Sequence, residues 1–253
     1  MSDVMMARPV CLTIGGSDSC GGAGIQADLR VFDRLGVYGC SAITALTAQN
    51  PLHIARIEPV SLAQLDAELH ALFDYYDVAV VKTGMLLDAE HVAVVSGLLA
   101  ELHHGSLVVD PVMISSSGSV LLDQGGVAAL REALLPQAAL ITPNLDEADA
   151  LLGQPSGYAA DSPVEAVKAL REALACPVLL KGGHADGDML LDLLCDEDGG
   201  IHRFTHIRQC WDTGEGHGTG CRLASAVAAG LANQMPLVPA VEAAIAFLQE
   251  CTA

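Results

Sequence analysis

Val10-Cys11-Leu12-Thr13-Ile14 runs directly into Gly15-Gly16-Ser17-Asp18-Ser19-Cys20-Gly21-Gly22-Ala23-Gly24, and a helical pattern follows over residues 23–35. The apolar run predicts a strand buried on both faces, as parallel sheets require. The glycine loop then turns the chain into a helix. Further strands are predicted over 42–48, 78–81, 107–109, 140–142 and 178–180, and helices over 62–73, 89–102, 126–134 and 163–174. Pro163 after Asp161-Ser162 marks a helix start. Residues 189–195 and 201–207 flank a turn at 196–200 and predict an antiparallel hairpin. The last helices are expected over 220–232 and 237–251. Strands alternating with helices predict an α/β fold, with a mostly parallel central sheet and a small antiparallel hairpin. No linker, charge block or low-complexity tract divides the chain, so residues 1–253 are expected to form a single domain.

The formal charge of −19 disfavours nucleic acid and anionic lipid, which need basic patches. It also repels a nucleotide triphosphate at long range, so a phosphate site must rely on backbone donors, one or two lysines and a bound cation. Eight cysteines contain no Cys-x-x-Cys pair and lie mostly in apolar runs. That pattern predicts reduced thiols in a cytoplasmic protein, without a disulfide framework or zinc site. Residues 1–9 lack an apolar stretch of signal-peptide length, and no run reaches the roughly 18 apolar residues of a membrane span.

In open parallel sheets ligands gather beyond the carboxyl ends of the strands. Polar clusters fall there: Gly15–Gly24, Lys82-Thr83-Gly84, Asp110-Pro111, residues 142–147, residues 181–184 and His217-Gly218-Thr219-Gly220-Cys221. The Gly218-Thr219-Gly220 turn before an Ala-rich helix points backbone N–H groups at one spot, at the positive end of the helix dipole. Cys221 falls in the first helical turn, where the dipole favours a thiolate. The alternative is a glycine loop before a buried helix, with Cys221 a small core residue. The Gly15–Gly24 loop has neither the phosphate-loop nor the dinucleotide-loop spacing. Its glycines instead suit close approach to a small flat substrate.

Asp28 is either part of that pocket or a solvated first-turn carboxylate. Gln49, at a strand end, both donates and accepts, as a heteroaromatic amidine edge demands; otherwise it bonds backbone. Asp110 and Glu147 at separate strand ends suit a hydrated Mg²⁺ beside nucleotide phosphates, although Glu147 equally suits the N3 position of a capping box opened by Asn144. Lys181 before Gly182-Gly183 can reach a phosphate or lie on the surface. His202 and His206 read as structural or surface residues.

Together these residues resemble the phosphomethylpyrimidine kinases of thiamine biosynthesis, within the ribokinase-like superfamily. The resemblance rests on residues 12–18, 21–29, Thr44-Ala45-Leu46-Thr47-Ala48-Gln49-Asn50, Lys82-Thr83-Gly84-Met85-Leu86, Val109-Asp110-Pro111-Val112-Met113, residues 141–148, Lys181-Gly182-Gly183-His184 and residues 217–221. It implies a ribokinase-like three-layer αβα sandwich. It also implies ATP- and Mg²⁺-dependent phosphorylation of 4-amino-5-hydroxymethyl-2-methylpyrimidine or its monophosphate. Gln49 would bind the pyrimidine edge, with Gly16, Asp28 and Met85 lining the pocket. Asn144 and Lys181 would face ATP, and Asp110 and Glu147 the metal. Gly218, Thr219 and Gly220 would form the anion hole, and Cys221 stands where many relatives place an aspartate base. Residues 211–216 and Arg222 depart from the family pattern. The rival is a pyridoxal kinase of the same superfamily, whose members tend to carry Met at the position of Gln49. A non-catalytic pyrimidine or nucleotide sensor is the other alternative. A homodimer is the expected assembly.

Overall fold

The computed structural model describes residues 8–115, 118–184, 189–207 and 218–250. Nine strands form one sheet in the order β3-β2-β1-β4-β5-β6-β7-β8-β9. The central strands β2 (Tyr38–Asn50), β1 (Val10–Asp18), β4 (Val78–Thr83), β5 (Ser106–Val109), β6 (Leu140–Ile141) and β7 (Val178–His184) are mutually parallel. Antiparallel strands extend both edges: β3 (His53–Pro59) beside β2, then β8 (Met189–Cys195) and β9 (Ile201–Ile207) beyond β7. The expected hairpin is therefore present at its expected bounds.

Period-two alternation sends successive side chains to opposite helical layers. Leu12, Ile14, Val81, Val109 and Leu180 pack with α2 (Leu62–Phe73), α3 (Ala89–Leu102) and α7 (Pro163–Leu174), through residues such as Leu65, Val95 and Leu170. Cys11, Val80, Val108 and Leu179 face α1 (Gly24–Arg34), α8 (Thr219–Ala232) and α9 (Leu237–Glu250). The result is a three-layer αβα sandwich. Helices α8 and α9 approach closely because Gly230 has no side chain: a Cβ there would lie 3.0 Å from the Ala240 Cβ.

Four details differ from the sequence reading. Strand β1 continues to Asp18, four residues into the expected loop, because Ser17 and Asp18 still pair with Leu46 and Thr47 after a bulge. Strand β2 begins four residues earlier than expected, where Tyr38–Ser41 pair with β1, and ends two later because β3, which the sequence reading missed, pairs Gln49 and Asn50. The helix expected over 126–134 is α4 (Gln124–Ala129), begun two residues earlier behind the N-cap Asp123, followed by a π turn at Leu130–Leu134 and a 3₁₀ turn at Leu135–Gln137. The helix expected to open at Asn144 is α5 (Leu145–Leu152), while the short α6 (Tyr158–Asp161) before α7 carries no signal in the sequence reading.

No helix among the described residues is long and apolar enough to cross a membrane. The cysteines at 11, 20, 40, 176, 195 and 221 are free. Residues 211–216 and His217, both singled out in the sequence, lie outside the described residues.

Candidate active site

A cavity of about 500 Å³ opens at the carboxyl edge of the parallel strands. Every candidate site residue of the sequence reading, from Gly16 to Cys221, lines it. Alternation explains why polar groups converge there. Thr13, Lys82, Asp110 and Lys181 stand two positions beyond the apolar residues that face α1 and α8, so they meet the amino end of α8.

Two buried ion pairs flank that helix end. Lys82 Nζ lies 2.8 Å from Asp28 Oδ2, and Lys181 Nζ lies 2.8 Å from Asp110 Oδ1. Asp28 is not the solvated first-turn carboxylate that one reading allowed: it is 1% exposed. Its Oδ2 also accepts from Thr13 Oγ1 at 2.6 Å, and its Oδ1 accepts from Ser225 Oγ of α8 at 2.7 Å. The charge of Lys82 is secured. Burial opposes it, but the Asp28 carboxylate, the Cys221 sulfur when ionised and the Asp110 carboxylate outweigh burial and hold the ammonium above its ordinary range. Burial likewise opposes ionisation of Asp110, yet Lys181 and Lys82 keep its carboxyl below the usual carboxylate range.

Between the pairs sits the turn that begins α8. Gly218 adopts φ 84°, and a Cβ there would strike Gly22 O at 2.2 Å, so only glycine fits. A Cβ on Gly220 would lie 3.1 Å from Lys181 Nζ. The turn thus rests on the Gly21–Gly24 loop at one side and on Lys181 at the other. Arg222, which departs from the family pattern, donates from Nη2 to Gly22 O at 3.3 Å and clasps the same loop.

The expectation of a resting Cys221 thiolate fails here. Burial pushes the thiol up to about 12, and Asp110 and Asp28 add to that, against the opposing pull of Lys82 and Lys181. The dipole at the start of α8 is too weak to reverse desolvation of this size.

At one end of the cavity, Asp18 accepts from Ala23 N at 2.8 Å and Cys20 N at 2.9 Å, and the Gln49 side chain also bonds it. Burial opposes its ionisation, but these donors hold its carboxyl near 2. Since the Gln49 amide donates to Asp18, its carbonyl oxygen remains as an acceptor. Gly16 and Met85 form the adjoining wall, where a Cβ on Gly16 would lie 3.3 Å from Met85 Sδ. Asp18 carries no assigned role in the sequence; its one signal there is a carboxylate inside the glycine loop.

At the other end, Asn144 and Glu147 form the capping box of α5: Asn144 Oδ1 accepts from Glu147 N at 2.8 Å, and Glu147 Oε2 accepts from Asn144 N at 2.8 Å. Burial raises the Glu147 carboxyl to about 7; Lys181 and the backbone N–H groups of Asn144 and Met113 pull against that, and Asp110 reinforces it. Two buried carboxylates that repel each other suit a divalent cation. Among the described residues no group of three or more His, Cys, Asp or Glu could hold a metal. Asp110 and Glu147 fit the one or two carboxylates that a hydrated Mg²⁺ takes beside phosphates. His206, expected to be structural or on the surface, bonds the buried Asp192 at 3.0 Å and lines this end; Asp192 also accepts from Gly182 N at 2.7 Å.

A nucleotide-sized cavity at the carboxyl edge of a parallel sheet, with a glycine turn at a helix start between two lysines, defines a small-molecule kinase of the ribokinase-like class. The comparisons with known proteins specify it further. The family model described as phosphomethylpyrimidine kinase matches residues 18–253, and the chain belongs to that family. The hydroxymethylpyrimidine/phosphomethylpyrimidine kinase of Rhizobium meliloti is 44% identical over 239 residues, covering 94% of this chain and 88% of the relative. The crystal structure of phosphomethylpyrimidine kinase from Clostridium difficile matches with a TM-score of 0.83 and 34% identity, covering 97% of this chain and all of that one. Pyridoxal kinase from Staphylococcus aureus, in complex with AMP-PCP and pyridoxal, matches with a TM-score of 0.84 and 31% identity over 97% of this chain and 88% of that one.

Proposed function

We propose that this chain transfers the terminal phosphoryl group of ATP to 4-amino-5-hydroxymethyl-2-methylpyrimidine and to its monophosphate, giving the pyrimidine diphosphate used in thiamine biosynthesis. The observation that carries this reading is the single cavity running from Gln49 to Asn144 with the Gly218–Cys221 turn between. The Gln49 carbonyl accepts from the exocyclic amine of the ring, while Gly16 and Met85 bound the ring's faces. Asn144 and Lys181 take the nucleotide side.

Phosphoryl transfer is catalysed mainly by positioning and charge stabilisation. The start of α8 turns first-turn N–H groups and the positive end of the helix dipole toward the cavity, and these suit the charge on the transferring group. Cys221 is placed to take the hydroxyl proton of the alcohol. Its thiol must first ionise, and Lys82 and Lys181 lower the cost of that step. Asp110 and Glu147 are the residues to hold Mg²⁺, which when bound neutralises phosphate charge.

A second reading, pyridoxal phosphorylation, is supported by the Staphylococcus aureus match and opposed by Gln49. Replacing Gln49 by Met tests the two. A mismatched polar ring edge leaves buried groups unpaired. Gln49→Met is expected to lose more than tenfold in kcat/KM on the pyrimidine alcohol, about 1.4 kcal/mol or more in transition-state binding. Pyridoxal turnover holds or rises. Equal loss on both substrates rejects Gln49 as the selecting residue.

A further inference from the structure

Transfer to an alcohol leaves Lys82 with more capacity than it uses. Its side chain is 1% exposed, it lines the cavity, and among the described residues its one hydrogen-bond acceptor is Asp28 Oδ2. An ammonium carries three donors, so two are left over inside the protein. Asp28 does not require them, since Thr13 and Ser225 already donate to it. A buried cation with donors to spare is costly to keep without an anion to receive them.

The place of Lys82 identifies that anion. It is the penultimate residue of β4, one residue before Gly84-Met85, and its Nζ lies 3.1 Å from where a Cβ on Gly84 would sit. Gly84 and Met85 belong to the wall on the Gln49 side, whereas Lys181 rests against Gly220. The two lysines therefore stand on opposite sides of the turn, one toward the acceptor and one toward the nucleotide. The chain has three lysines in all, and two of them stand here.

We propose that Lys82 binds the phosphate group of the pyrimidine monophosphate, which lets one site carry out both transfers. This rests on the two-step reading given under Proposed function. In the second transfer a dianionic acceptor must approach the terminal phosphate of ATP within a protein of net charge −19. Like charges at such separations repel strongly in a low-dielectric site. Lys82 offsets that repulsion on the acceptor side, as Lys181 does on the nucleotide side. A phosphate oxygen of the monophosphate forms the new P–O bond while the bond from the terminal phosphorus to the β–γ bridging oxygen breaks. ADP leaves, and Lys82 stays protonated throughout.

The test is calorimetric binding of the pyrimidine alcohol and its monophosphate, together with turnover of each. Lys82→Met is expected to weaken monophosphate binding at least tenfold and alcohol binding less than threefold. Should that variant fail to fold with Asp28 left unpaired, Asp28→Asn is compared with Asp28→Asn/Lys82→Met, in which the buried pair is neutral. The same selective loss is expected between those two. Equal weakening of both ligands, or no weakening of the monophosphate, overturns the assignment of Lys82, as does a wild-type protein that does not bind the monophosphate. A wild-type protein that binds the monophosphate but never phosphorylates it overturns the two-step reading instead, and the binding comparison still decides the role of Lys82.

Discussion

Cys221 shows how one residue can look different in sequence and in structure. Its position at the first turn of α8 suggests a thiolate, but burial and two neighbouring carboxylates keep the proton on sulfur at neutral pH. The sulfur can therefore accept a proton only as a thiolate, after the thiol has released its own proton to solvent, a step that Lys82 and Lys181 favour. If it takes the hydroxyl proton, Cys221→Ala costs roughly 10²–10⁴-fold on the alcohol. The monophosphate presents an oxygen that is already ionised, so its phosphorylation falls far less. Rates for both substrates in the variant check this. An equal loss assigns the thiol to shaping the turn. Lys82 was equally visible in the sequence, as a charged residue ending an apolar strand before Thr83-Gly84. Its pairing with Asp28 was not, because that contact spans 54 positions and depends on how α1 lies over β1.

Helix α5 places Glu147 through its capping box, and the same geometry buries the carboxyl. The folded protein holds this proton up to about pH 7, against an ordinary value of 4.5. The unfolded chain releases it earlier. Stability is therefore greatest, with respect to this group, below about pH 4.5, and it falls as pH rises through about 7. Glu147→Gln keeps the cap, since Gln serves at N3, and is expected to remove that part of the pH slope. Denaturant midpoints from pH 4.5 to 8, without nucleotide or Mg²⁺, measure it; an unchanged slope contradicts the account. Strand and helix existence was legible because the apolar runs and their periods are strong. The extents of β1 and β2 were not: Gly15–Asp18 reads as loop locally, and only pairing with Leu46 and Thr47 makes it strand. Strand β3 carries His, Arg and Glu on an exposed edge, so no apolar pattern marks it.

For the molecule as a whole, a net charge of −19 is set against two lysines in the cavity, each paired with an aspartate. The net charge of −19 repels polyanions at long range, and the proposed phosphate recognition falls to Lys82, Lys181 and the start of α8. That division makes the site selective for small ligands that can enter it fully. The central claim, a kinase that phosphorylates the pyrimidine alcohol and its monophosphate in one cavity, is tested most directly by one ATP-coupled assay with Mg²⁺. It offers the pyrimidine alcohol, its monophosphate and pyridoxal side by side to the wild-type chain. The account predicts turnover of both pyrimidines, each with kcat/KM at least tenfold above that for pyridoxal. Preference for pyridoxal, or ATP consumption with none of the three, would contradict it.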